Sequence, residues 1–152
     1  MYTPHTVTLY NVDENALTGE PVYNITILEG VFLDVAKSDN VEKSGLADAD
    51  TATLYIPFSV KAMSTGETPA EKTFIPPKRY RALDADVKPG YWTLETGGVN
   101  SGADCFFVKG NNVSEGGYAT IREQFDAVFR VSTVNLRDFG TEDMRHWQVG
   151  GR

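Results

Sequence analysis

The chain has 152 residues, 41% hydrophobic and 23% charged, with a formal net charge of −7 and one cysteine. That size and composition fit one globular domain with its own core, and a single cysteine excludes an internal disulfide. The excess charge lies in residues 1–50, where nine acids oppose Lys37 and Lys43; the remainder carries twelve acids and twelve bases, so ordinary binding to a phosphate backbone is disfavoured.

Residues 6–11 alternate, with Val7 and Leu9 on one side and threonines on the other, which predicts a half-buried first strand. A turn over 13–20 contains Asn15 and Gly19. From Tyr23 to Val35 the odd positions hold Ile25, Ile27, Val31 and Leu33, the clearest strand signal in the chain. Gly30 inside that run predicts a bulge or sharp bend that splits one long strand between two sheets or wraps it round a barrel corner. Residues 37–50 read as polar loop. Alternation resumes over 53–60, with Leu54, Ile56, Phe58 and Val60 inward. Pro57 cannot donate to a ladder, which predicts an edge strand or one ending at a bulge.

Residues 61–90 hold Pro69, Pro76, Pro77 and Pro89 and read as a long excursion from the core. Its Lys72, Phe74, Lys78, Arg79, Tyr80 and Arg81 are the candidate partner-binding residues; a disordered insertion is the plainer alternative. A strand over 91–95 buries Trp92 and Leu94, and a loose turn follows around Gly97, Gly98 and Gly102. The next strand, 104–109, sets Phe106 and Val108 on one face, and Tyr118, Ile121, Arg122 and Phe125 fall at helical spacing. The chain ends in an extended run from Asp126, a polar turn containing Gly140, and a second run from Met144 to Val149 closed by Gly150 and Gly151. The class is all-β: a single domain over 1–152, a small barrel or sandwich of about seven or eight short strands with long loops and at most one short helix.

Nothing in the chain nominates an enzyme. His5 and His146 stand alone, without the Cys/His cluster of a zinc site, and His146 reads as a packing or rim residue. Cys105 has no nucleophile signature around it and reads as a small buried hydrophobe. The pairs Asp48/Asp50 and Asp84/Asp86 lack the glycine and distal glutamate of a calcium loop and read as turn residues. The sequons at Asn24 and Asn112 carry no weight without a secretory signal, and the glycine-rich stretch 97–117 has no phosphate-loop lysine. No catalytic residue, cofactor or metal is expected. The amino terminus shows no signal peptide, and no apolar run approaches the ~20 residues a bilayer demands. A soluble protein made in the cytoplasm is expected.

The acidic first third has a bland reading, a solvated surface that gives solubility. Its sharper reading is an acidic face, with Asp39, Glu42, Asp48 and Asp50, that meets a basic partner or lines a passage through which DNA slides without adhering.

The order of several short motifs adds a resemblance. Strand 6–10 is followed by Ile27-Leu-Glu-Gly-Val-Phe32, Gly45-Leu46, the Ile56-Pro57 strand, Trp92-Thr93-Leu94 and a terminal His146-Trp-Gln-Val-Gly-Gly-Arg152. This resembles minor capsid or head–tail connector proteins of tailed bacteriophages of Gram-positive hosts, the terminal segment being the most specific piece. The chain departs from that pattern in a longer link over 95–104 and a larger insertion over 61–81. The resemblance implies a head-completion, stopper-like virion protein, assembled in the host cytoplasm as a homo-oligomeric ring of about six or twelve copies. The ring would sit between portal–adaptor complex and tail around the DNA channel, with no sequence-specific DNA contact and no membrane. Two alternatives stand beside it: a tail terminator or capsid-decorating protein, and a carbohydrate-binding module with Tyr91, Trp92 and Trp147 as a stacking platform.

Overall fold

The computed structural model describes residues 2–15, 17–36, 51–96 and 104–152. In chain order these form β1 (His5–Glu14), β2 (Pro21–Ala36), β3 (Thr51–Pro57), β4 (Lys61–Met63), β5 (Thr73–Phe74), α1 (Pro77–Arg81), β6 (Tyr91–Trp92), β7 (Asp104–Lys109), α2 (Tyr118–Gln124), β8 (Val128–Arg137) and β9 (His146–Gly151). Six antiparallel strands run β1-β7-β8-β9-β3-β2, and β2 pairs back onto β1 to close a barrel. Closure removes the open edges that a flat sheet would leave. The all-β class expected from the alternation is the class found.

The barrel is filled by side chains from every strand: Val7 and Leu9, Leu28, Val31 and Leu33, Leu54 and Ile56, Phe107, Phe129 and Val149. A second apolar layer lies outside it, where Tyr10, Phe106, Val108 and Val128 meet Ile121 of α2. Tyr10 and Phe106 stack there with ring centroids 4.5 Å apart. Helix α2 therefore turns the outer face of β1, β7 and β8 into interior, which is why β1 is buried on both sides over its middle.

The bulge expected at Gly30 is present, and it changes the reading of β2. Gly30 has φ +85°, and the β1–β2 register slips between His5–Val31 and Thr6–Glu29. One extra residue reverses the side-chain parity of the strand. Beyond the bulge the odd residues Val31 and Leu33 enter the barrel, but before it the even residue Leu28 does, while Ile25 faces the outer layer. The odd positions of 23–35 thus divide between two faces.

Pro57 marks no edge strand. β3 is paired on both sides, to β2 and to β9, and Pro57 is its last residue, so the missing donor falls where the ladder ends and residues 58–60 turn away. Gly150 and Gly151 also lie inside a ladder, not beyond it. A Cβ on Gly151 would stand 2.8 Å from Phe129 Cβ and 2.9 Å from Phe107 Cζ, so the bare backbone is what lets both rings close over β9.

The stretch 61–90 is not a free excursion. It supplies β4 on the flank of β2, β5, which pairs in parallel with β6, and α1, and it carries Lys72, Ile75 and Tyr80 into the interior. With Trp92 and Leu94 it covers one mouth of the barrel. The strand expected over 91–95 is paired only at Tyr91 and Trp92.

Candidate functional site

The covered mouth is where polar side chains converge. Asn11 and Asn24 are register partners in the β1–β2 ladder. Asn11 Nδ2 donates to Thr93 O at 2.9 Å, and Thr93 N donates back to Asn11 Oδ1 at 3.3 Å. Asn24 Nδ2 reaches Tyr91 O at 2.8 Å, Tyr80 Oη at 2.9 Å and Lys88 O at 3.2 Å. Strand β2 thus offers asparagine where the alternation elsewhere offers aliphatic carbon, and the crossing chain finds its hydrogen bonds there instead of in a sheet.

Lys72 enters the same network and is only 7% exposed. Its Nζ donates to Asn24 Oδ1 at 2.6 Å, Thr26 Oγ1 at 2.7 Å and Ile25 O at 3.3 Å. An ammonium has three donors, and neutral oxygens take all three. Burial without a facing carboxylate pushes its pKa down from 10.5 to about 8. Burial likewise pushes the Tyr80 phenol up to about 12, against the bond from Asn24 that lowers it and the charges of Asp13 and Glu95 that raise it further. The amine locks the segment to β2 and has no hydrogen left for a substrate.

A chain of ion pairs lies across the mouth. Asp13 takes Lys88 at 2.7 Å and Arg81 at 3.4 Å, and Arg81 also binds Glu95. Four aromatic rings lie beneath. Trp147 stands 4.5 Å from both Phe58 and Phe74, and 5.7 Å edge-on to Trp92, which is 2% exposed. Beside this knot a cavity of about 760 Å³ opens between the β1–β2 turn, residues 83–89 and residues 113–115, and Asp13, Asn24, Lys72, Tyr80 and Lys88 of the network form part of its lining.

Of the six residues expected as an interface arm, only Lys78 and Arg79 are exposed and outside the network just described. Lys72 and Tyr80 are buried, Phe74 is half-buried against the tryptophans, and Arg81 is held by Asp13 and Glu95. Asp39, Glu42, Asp48 and Asp50, together with the loop 37–50 and the turn around Gly97, Gly98 and Gly102, lie outside the described residues. Asp84 and Asp86 are exposed in a turn, where Asp84 O accepts from Val87 N and Lys88 N. His146 sits at the rim, 5.8 Å from the Tyr55 ring, with Nδ1 2.8 Å from Met144 O. His5 Nδ1 accepts from Leu33 N at 3.0 Å, and Cys105 is buried beside Asn11. The Asn24 sequon is spent internally, since both Asn24 and Thr26 bind Lys72.

Sequence reasoning missed Asn11, Asn24 and Thr93. The available signal was an asparagine at an inward position of each of two neighbouring strands, a residue type that strands disfavour unless it is bound.

Two surface features complete the survey. The β8–β9 hairpin exposes Leu136 near the end of β8, and Phe139 and Met144 in the link that follows, at 60%, 68% and 58%, with the Met144 side chain lying over Gly140. On the outer face Tyr118 is flanked by guanidinium groups, Arg130 at 4.3 Å and Arg122 at 5.9 Å from its ring centroid. Among the described residues no group of three or more His, Cys, Asp or Glu could hold a metal ion, and no helix is long and apolar enough to cross a membrane.

The chain belongs to a family of unknown function, DUF6751, which matches residues 2–152. No curated protein and no solved structure matches it.

Proposed function

We propose that this protein is a structural subunit of a virus particle: a head–tail connector of a tailed bacteriophage, repeated as a ring around the DNA channel between portal–adaptor complex and tail. The observation that carries the reading is the β8–β9 turn. Leu136, Phe139 and Met144 are each exposed, and all belong to one hairpin anchored in the barrel. Exposed large apolar side chains grouped on one element mark surfaces that another protein covers. The same hairpin contains the terminal His146–Arg152 segment on which the resemblance mainly rests. A filled barrel with well-packed walls is also suited to transmit load between layers of an assembly, with its loops free to meet neighbours.

The carbohydrate alternative loses its platform, because Trp92 is buried and Trp147 packs against it. A tail terminator or capsid-decorating role remains the second virion reading.

The deciding experiment is electron cryo-microscopy of the head–tail junction in particles that carry this gene. A ring of this chain between adaptor and tail is expected. Its absence from particles, or its scatter over the capsid shell, overturns the connector assignment.

A further inference from the structure

Among the described residues, the exposed large apolar side chains fall into two groups, with Tyr2 alone outside them. One group stands at the groove beside the mouth. Leu17 of the β1–β2 turn, Val22 of β2 and Val113 line it, and Val87 belongs to the turn that forms one wall; they are 96%, 46%, 52% and 43% exposed. The other group is Leu136, Phe139 and Met144 on the β8–β9 hairpin. Both groups sit at the covered end of the barrel. The β1–β2 turn lies beyond the Asn11–Asn24 pair, and the link 138–145 lies beyond the Arg137–His146 pair, next to Trp147 and its contact with Trp92. They stand across that end from each other. In the closed order β1-β7-β8-β9-β3-β2, β1 is three strands from β9 and β2 is three from β8, whichever way the circle is followed.

One group lines a recess and the other rides on a projection. The groove holds about 760 Å³, within the range of about 300–1,000 Å³ that ligand pockets span, so it has room for large side chains. The link 138–145 extends past the last pair of both ladders that β9 makes. We propose that the groove of one copy receives the β8–β9 hairpin end of the next copy, through Leu136, Phe139 and Met144. This contact rests on the ring-subunit reading above and names the neighbour that the exposed hairpin meets.

A two-fold pair would set projection against projection and leave both recesses unfilled. A recess and a projection on opposite sides of one subunit join head to tail, and such contacts close into a ring when the rotation permits. The area is sufficient. The seven side chains together expose roughly 700 Å² of apolar surface, the apolar share, about 57%, of an interface near the lower end of standard size, about 1,200 Å². Charge does not oppose the contact. The two amines in the groove lining are held from within, Lys72 by Asn24 and Thr26 and Lys88 by Asp13, and on the hairpin Asp138 pairs with Arg145 at 3.3 Å. Glu14, Asp84 and Glu115 are exposed groove residues and supply the polar rim that an interface keeps in water. Phenylalanine and methionine are enriched at interface centres, and the unbranched methionine adapts to an irregular recess.

The test uses the purified full chain and reads assembly mass by sedimentation and native mass spectrometry over a concentration series. Wild type is expected to self-associate, and the assembly should survive rising salt, which screens ion pairs and not apolar burial. Phe139→Asp with Met144→Asp spoils the projection, and Leu17→Asp with Val113→Asp spoils the recess. Each pair should raise the midpoint concentration at least about tenfold, with circular dichroism and melting unchanged. Leu17→Asp alone serves if the double change lowers the melting temperature. Mixing gives the specific readout. The first variant keeps an intact groove and the second an intact hairpin, so together they should form a one-to-one dimer and nothing larger. A groove variant that assembles like wild type, or a mixture that yields no dimer, overturns the contact. So does a wild type that stays monomeric up to about 1 mM. The ring reading is judged separately, on the particle map: a ring whose hairpin end meets a different protein overturns the contact and keeps the ring.

Discussion

Asn11 and Asn24 face each other across the β1–β2 ladder, and each binds the main chain of the same crossing segment, Asn11 at Thr93 and Asn24 at Tyr91. Two adjacent strands thereby grip one length of chain at points two residues apart. The segment sealing the barrel is held by side chains where a sheet would use backbone.

Asn24→Ala should therefore destabilise the fold by about 3 kcal/mol, because it strands the Lys72 ammonium as well as the carbonyl of Tyr91. Asn11→Ala, which touches no charge, should cost about 1–2 kcal/mol. Urea denaturation of both variants checks the order. Losses below about 0.5 kcal/mol for both would remove the clamp from the account.

Lys72 makes stability depend on pH. Its folded pKa is about 8 and its unfolded value 10.5, so between about pH 8 and 10 the unfolded chain holds more protons and stability rises with pH. Below about pH 8 both states are protonated and the folded state bears the full cost of the buried cation. Tyr80, pushed up to about 12, acts in the other direction above about pH 10, where the unfolded phenol ionises first. Wild type should gain on Lys72→Met by about 2 kcal/mol between pH 7.5 and 10. Parallel stability curves for the two proteins would show that the amine is not buried as described.

Much of this fold can be read directly from residue order. Alternation marked β1, β7 and the two C-terminal strands, and the spacing of Tyr118, Ile121 and Phe125 marked α2. Gly30 announces a bulge, but alternation alone cannot tell which face follows a parity change, so it sets Ile25 and Leu33 on one face although they lie on two. The mouth was legible only in fragments. Prolines and bases over 61–90 read as a loop because their partners, Asn24 and Asp13, lie far away in sequence, and local pattern does not encode a long-range hydrogen bond. Trp92 is recognisable as interior from strand parity, and it touches Trp147.

Gly151→Ala should destabilise by about 2 kcal/mol, since the added methyl meets Phe129 and Phe107 in a packed interior. Thermal melting reads this directly. Ala at Gly117, where a Cβ meets nothing within 4 Å, is the control and should melt with wild type to within about 0.5 kcal/mol.

Phe139→Ser with Met144→Ser should leave the melting temperature unchanged, because both side chains stand in solvent. Incorporation into particles should fall by about tenfold, the loss of roughly 1.4 kcal/mol at a contact. Equal incorporation would show that this hairpin end meets no neighbour.

The packed interior bears on what an assembly of this chain can conduct. Phe107, Phe129, Leu54 and Trp92 fill the space that the six strands enclose, and residues 61–96 stopper one end. No strand or base could thread an individual subunit. Any conduit formed by many copies must run through the gap they surround, and its bore is set by how many subunits join and at what tilt.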